Sequence, residues 1–249
     1  YASVDSYLSS SADAAANSDV PLEKDAGIER RLLDAGLAPP LAAHFAHLFV
    51  RDPLVIFNEQ VDQDDAASMD HFENIQSTNW QTMRFKPPPH GGHIGWRVEF
   101  RPMEVQLTDF ENAAFSVFIM LVARAILAFR PNLYMPISRV DANMARAQRR
   151  GAAAHESFFF RAPDGHGVAE YPLAHIFLGP HGLVPLVRRY LATLTCPAAE
   201  RARLDEYIDL VAARAAGQLQ TLATYMRSYI RAHPDYRFDS VVTERINYY

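Results

Sequence analysis

Cysteine is almost missing from these 249 residues. Cys196 stands alone, so no disulfide can close within the chain, and the composition suits a reducing compartment such as the cytoplasm. A surplus of positive charge is missing as well. Twenty-four Lys and Arg face 29 Asp and Glu, a net charge of −5, which provides no general attraction to nucleic acid or to an acidic membrane. No phosphate loop of the G-x-x-x-x-G-K-[ST] type occurs, nor a G-x-S-x-G nucleophile turn, nor a repeat of fixed period. No secretory leader pattern shows in the residues given. Long apolar runs are scarce too. The one membrane candidate, Ala113 to Phe129, is about 17 residues long, at the short limit for spanning a bilayer. It carries Arg124, which costs about 2.5–3.5 kcal/mol at a bilayer centre, so a helix buried in a protein core is the expectation.

What is present is an ordinary globular composition, 49% hydrophobic and 21% charged. The chain starts at Tyr1 and ends in "TERINYY", a helix just beginning, and it reads as a piece of a longer protein. Small polar residues at 9–19, "SSSADAAANSD", predict a linker. "PLEKDAGIERRLLDAG" has helical spacing and stops at Gly36; "PPLAAHFAHLFV" enters a second helix at Pro39 and Pro40. Asp52 and Pro53 mark a further helix start, and "VDQDDAASMD" is an acidic loop. Thr108 and Glu111 form a T-x-x-E capping box ahead of a helix over 109–129, ended by Pro131. A basic helix is expected in "SRVDANMARAQRRGAAAHESFFF", a turn at "RAPDGHG", and helices from Pro172 to His233, broken near Gly179, Pro197 and Gly217. The expectation is a single partial α+β domain over 1–249, with helices and loops at 1–78, strands at 79–102 and a helical region at 108–249.

The strands come from alternation. Trp80–Lys86 and Ile94–Arg101 have period two, and "KPPPHGGH" between them is a loop, because proline cannot donate to a ladder. Trp96, Val98 and Phe100 share one face; Arg97, Glu99 and Arg101 share the other. In the earlier strand Trp80, Thr82, Arg84 and Lys86 lie opposite Gln81, Met83 and Phe85 in the same sense. Two strands alone are marginal, so the sheet is expected to draw further strands from elsewhere. From the pattern, the Arg-Glu-Arg face is either a solvated surface with charges alternating in sign or a ligand face. In the second case a carboxylate holds a hard cation such as Mg²⁺ and the arginines grip phosphate or carboxylate oxygens. His44 with His47, and His90 with His93, are spaced to chelate but lack a third ligand; ordinary surface and helix histidines are the simpler reading.

Three stretches, "HFENIQSTNWQTMRFKPPP", "IGWRVEFRPMEVQLTDFENAA" and "AHPDYRFDS", resemble the C-terminal part of the eukaryotic-type glutamate–cysteine ligase catalytic subunit. "SVDSYL", "AHLFVRDPL", "SRVDANM" and "INY" fall in order with them. The resemblance implies a glutamine synthetase-like carboxylate–amine ligase fold: a curved antiparallel sheet holding the site, with a large helical shell. It implies ATP-dependent joining of the L-glutamate γ-carboxylate to L-cysteine, with ATP as co-substrate, Mg²⁺ as cofactor and a regulatory modifier subunit as a partner. By position, Glu99 is similar to the family's metal-binding glutamate. Arg101 matches a phosphate-contacting, catalytic arginine, and Trp80 a tryptophan on the glutamate side of the pocket. Strand geometry adds Arg84 on the substrate side and Lys86 on the ATP side, and leaves Arg97 without a role. The family's other metal-binding glutamates and its glutamate-gripping arginine are not in this sequence, and an "R-A-S-G-E" segment reads "RAAGQ", with Ala216 and Gln218. The competing readings are a non-catalytic helical interaction module built on 138–233 and a related ligase that uses another amine.

Overall fold

A computed structural model describes residues 4–50, 57–77, 82–89, 91–162, 165 and 167–248. The described residues form twelve α-helices and two separate two-stranded antiparallel sheets, a mixed α+β architecture. The chain divides into two compact units, one of residues 1–103 with 134–144, the other of 104–133 with 145–249.

In the first unit the segment expected as a linker contains a short helix, α1 (Ala12–Asn17). Ser11 accepts the Ala14 amide as its N-cap, and an alanine run costs no side-chain entropy, so local propensity overrides the polar composition. α2 (Ala26–Asp34) is capped by Asp25 and ends before Gly36, whose φ of +88° suits glycine alone among residues without strain. α3 (Pro39–Leu48) opens on its two prolines as the sequence predicts. The helix start expected at Asp52 and Pro53 lies outside the described residues. A 3₁₀ turn at Asn58–Gln60 and a loop lead to α4 (Asp70–Ser77), then to β1 (Met83–Lys86) and β2 (Arg97–Phe100). Phe45, Leu48 and Ile75 form this unit's core, with Leu32, Leu41 and Phe72 against it. The segment 4–8 is tied down by Tyr7, whose hydroxyl donates to the Met135 carbonyl at 2.6 Å and whose ring meets Tyr134 edge-on.

The second unit is built on α5 (Asp109–Phe129). Its capping box is complete: Thr108 accepts the Glu111 amide while the Glu111 carboxylate accepts the Thr108 amide. Arg130, in the left-handed region, ends the helix. Ala114, Phe118, Val122 and Ala125 are its buried stripe, and Phe118 and Val122 pack with Val184, Val187, Leu191, Ile208 and Val211. α5 is the one helix among the described residues that is long and apolar enough to cross a membrane, and here that stripe seats it in a protein core. In chain order α6 (Ile137–Ala147), most of which belongs to the first unit, and α7 (Ala152–His155) follow. The helical expectation for 108–249 then needs correction. Ser157–Arg161 is a strand, β3, paired antiparallel with β4 (Val168–Pro172). Three consecutive phenylalanines favour a pleated, half-buried surface over a helix. α8 (Leu173–Leu178), α9 (Leu183–Leu191), α10 (Ala198–Ala215), α11 (Leu222–Ala232) and α12 (Glu244–Tyr248) complete the order, with breaks at Gly179, Pro197 and Gly217 as expected.

Candidate functional site

The charged face predicted by alternation forms. β1 and β2 pair with Arg84 opposite Glu99, Phe85 opposite Val98 and Lys86 opposite Arg97. The Arg101 amide donates to the Thr82 carbonyl at 2.8 Å, which makes 82/101, 84/99 and 86/97 the hydrogen-bonded pairs of the ladder. Arg84, Lys86, Arg97, Glu99 and Arg101 therefore share one face, and Met83, Phe85, Val98 and Phe100 the other. On the apolar face Phe85 stacks on Trp96 with ring centres 4.8 Å apart, and Trp96 reaches Phe45 of α3 at 6.2 Å. This face stays open: Val98 is 58% exposed, Met83 and Phe100 40%.

Glu99 is the hub of the charged face. Its Oε2 accepts from Arg84 Nη2 at 2.7 Å and lies 3.5 Å from Lys86 Nζ; its Oε1 lies 3.3 Å from Arg101 Nε. The Arg84 hydrogen bond, with the charges of Arg84, Lys86 and Arg101, outweighs burial and holds the Glu99 carboxyl below the usual carboxylate range. Arg97 turns away from this cluster. Its Nη2 donates to the Pro87 carbonyl at 3.0 Å, so it ties the proline loop to β2. The structure thus brings together Arg84, Lys86, Glu99 and Arg101. Trp80, assigned to the glutamate side, lies outside the described residues, as does His90.

One residue escaped sequence reasoning. Gln76, near the end of α4, is 3% exposed, and its side-chain amide donates to the Phe85 carbonyl. Its own carbonyl accepts from Arg84 Nη1 at 3.4 Å. A lone glutamine in a polar stretch carries no periodic signal, and only the packing of α4 on β1 singles it out. The two histidines of α3 have different surroundings. His44 is buried, which, ahead of the opposing charge of Asp5, keeps its imidazole below its ordinary pKa. His47 sits 2.9 Å from Asp5 through Nε2 and meets the Glu23 carbonyl through Nδ1.

The face fits an anion. Three cations surround one carboxylate, leaving excess positive charge on a sheet whose arginines suit phosphate or carboxylate oxygens. It does not by itself fit Mg²⁺, which takes near-octahedral oxygen ligands. Among the described residues no three His, Cys, Asp or Glu side chains converge, and the charges nearest Glu99 are cations.

Comparison with known proteins meets this geometry. The family model for glutamate–cysteine ligase matches residues 1–249. The chain is 45% identical to the human glutamate–cysteine ligase catalytic subunit over 273 aligned positions, which take in all of this chain and 42% of the relative. It is 45% identical to glutamate–cysteine ligase of Schizosaccharomyces pombe, covering 40% of that protein, and 40% identical to that of Saccharomyces cerevisiae, covering 41%. The chain spans about two fifths of the length of these curated relatives. With a match that runs from the first residue to the last and includes the paired strands of the charged face, the chain belongs to the glutamate–cysteine ligase family.

Proposed function

We propose that the full protein joins the γ-carboxylate of L-glutamate to the amine of L-cysteine at the expense of ATP, the first step of glutathione synthesis, in the cytoplasm. In this reading the γ-carboxylate oxygen attacks the γ-phosphorus of ATP, giving γ-glutamyl phosphate and ADP. The cysteine amine then attacks the acyl carbon, phosphate leaves, and the amine gives up a proton. Phosphoryl transfer asks mainly for positioning and charge neutralisation, and the β1–β2 face is made for that. Lys86 and Arg101 would meet the phosphate oxygens, Arg101 at the transferred group, and Trp80 would line the glutamate side. Mg²⁺ would accompany the nucleotide, with Glu99 giving it one oxygen ligand and the remaining ligands coming from elsewhere. The strand pair would be part of a curved, glutamine synthetase-like sheet. A modifier subunit is a fitting partner, since the human relative is named a catalytic subunit.

The observation that carries this reading is the convergence of Arg84, Lys86 and Arg101 on Glu99 across paired strands, in a chain of this family. The test is ATP- and glutamate-dependent formation of γ-glutamylcysteine by the full chain. The 249 residues alone, which span about two fifths of the length of their relatives, should turn over little or not at all. Full turnover by this piece would overturn the reading that it carries only part of the site.

A further inference from the structure

We propose that Gln76 and Arg84 are positioning residues, a buried strut that fixes Glu99 and leaves Lys86 and Arg101 as the cations that meet substrate. The inference rests on the ligase reading above. It begins with an asymmetry among the three cations. Arg84 makes a charge-assisted hydrogen bond to Glu99 at 2.7 Å, whereas Lys86 and Arg101 stand at 3.5 and 3.3 Å. The Arg84 side chain is 11% exposed; those of Lys86 and Arg101 are 33% and 28% exposed. A short, sheltered bond is hard to exchange for a ligand oxygen, and a long, half-open contact is easy to exchange.

The other arm of Arg84 points to the same role. Nη1 donates to the Gln76 carbonyl at 3.4 Å, in the last turn of α4. Nε is buried without a hydrogen-bond partner, so nothing directs that edge toward solvent. Gln76 closes the link. Residues 84 and 86 face β2 through their backbone groups, so the Phe85 carbonyl points to the outer edge of β1, and the Gln76 amide takes it. One glutamine therefore anchors β1 through Phe85 and anchors Arg84 through its own carbonyl, with Glu99 at the end of the chain of bonds.

The test uses the full-chain protein and two variants, Arg84→Lys and Gln76→Leu. Arg84→Lys keeps the charge but cannot bond Glu99 and Gln76 together. The expected result is a fall in kcat of about tenfold with KM for ATP and for glutamate within about twofold of the parent. Gln76→Leu should show the same split, and Lys86→Met the opposite one, a raised KM for ATP. A KM rise in Arg84→Lys without loss of kcat means that Arg84 touches ligand, and it overturns the proposal. Unchanged kinetics in a folded Gln76→Leu overturn it as well. Double-mutant cycles on unfolding supply a readout free of activity. Arg84→Lys with Glu99→Gln should couple several-fold more strongly than Lys86→Met with Glu99→Gln; equal or reversed coupling overturns the strut. If the parent makes no γ-glutamylcysteine, the ligase reading fails, while the cycles still decide whether the strut exists.

Discussion

The two hairpins share a plan and differ in orientation. In β3–β4, Phe158 is buried against Ala152 and Ile176, while Phe159 and Glu170 lie on the opposite face beside Arg146. Phe158 goes in and the acid goes out. In β1–β2 the order is inverted: Val98 is more exposed than Arg84 or Glu99. A two-stranded sheet gains stability by burying its apolar face, so within these residues the inverted hairpin draws less from that face than the other one does. Proteins break local rules of this kind at functional sites, and a charged face can be half-sheltered only if its charges satisfy one another. Glu99 performs that service for Arg84, Lys86 and Arg101.

The contrast places the largest difference in the core. Phe158→Ala should cost about 3–5 kcal/mol in denaturant unfolding, and Val98→Ala in the first hairpin less than about 1 kcal/mol. The reverse ranking would break the comparison. Activity should follow the opposite order. Glu99→Gln is expected to lower γ-glutamylcysteine formation by the full protein about a hundredfold, whereas Glu170→Gln, which removes the corresponding acid from β3–β4, should leave it within about twofold. In stability, by contrast, breaking the Arg146–Glu170 pair with Glu170→Gln should leave the unfolding midpoint nearly unchanged, as for other exposed ion pairs.

The smallest effect concerns acid. Burial pushes the Glu111 carboxyl up, but hydrogen bonds from Arg214 and Thr108 outweigh it and hold its pKa below the usual range. A depressed folded-state pKa stabilises the protein above the unfolded-state value. That stabilisation is lost as pH falls through the folded one. The melting temperature should therefore drop on acidification below the ordinary glutamate range, and Arg214→Met should flatten part of that drop. The same contact gives the "RAAGQ" segment a structural role, since Arg214 clamps Glu111, 2.5 Å away, and meets the Gln220 carbonyl through Nη1.

Legibility followed the range of the interactions. The α5 capping box, the proline entry of α3 and the glycine stop of α2 are contacts between near neighbours, and all are readable from residue order. The alternation of "WRVEFR" and "WQTMRFK" likewise establishes which side chains share a face, because period two is a property of the strand itself. The helix at Ala12–Asn17 and the strand at Ser157–Arg161 depart from the sequence expectation. In one case composition hides an N-cap, and in the other a helical basic stretch runs straight into an aromatic strand.

The sequence by itself determined the membership of the family, the strand pair and the set of charges on its face, since these depend on residue identity and local period. Only the tertiary structure decided how those charges are divided. Register placed Arg84 against Glu99, the packing of α4 brought Gln76 to the edge of β1, and Arg97 turned to Pro87. Which cation holds the site together and which is left for a ligand depends on distances between segments far apart in the chain, and residue order does not encode distance.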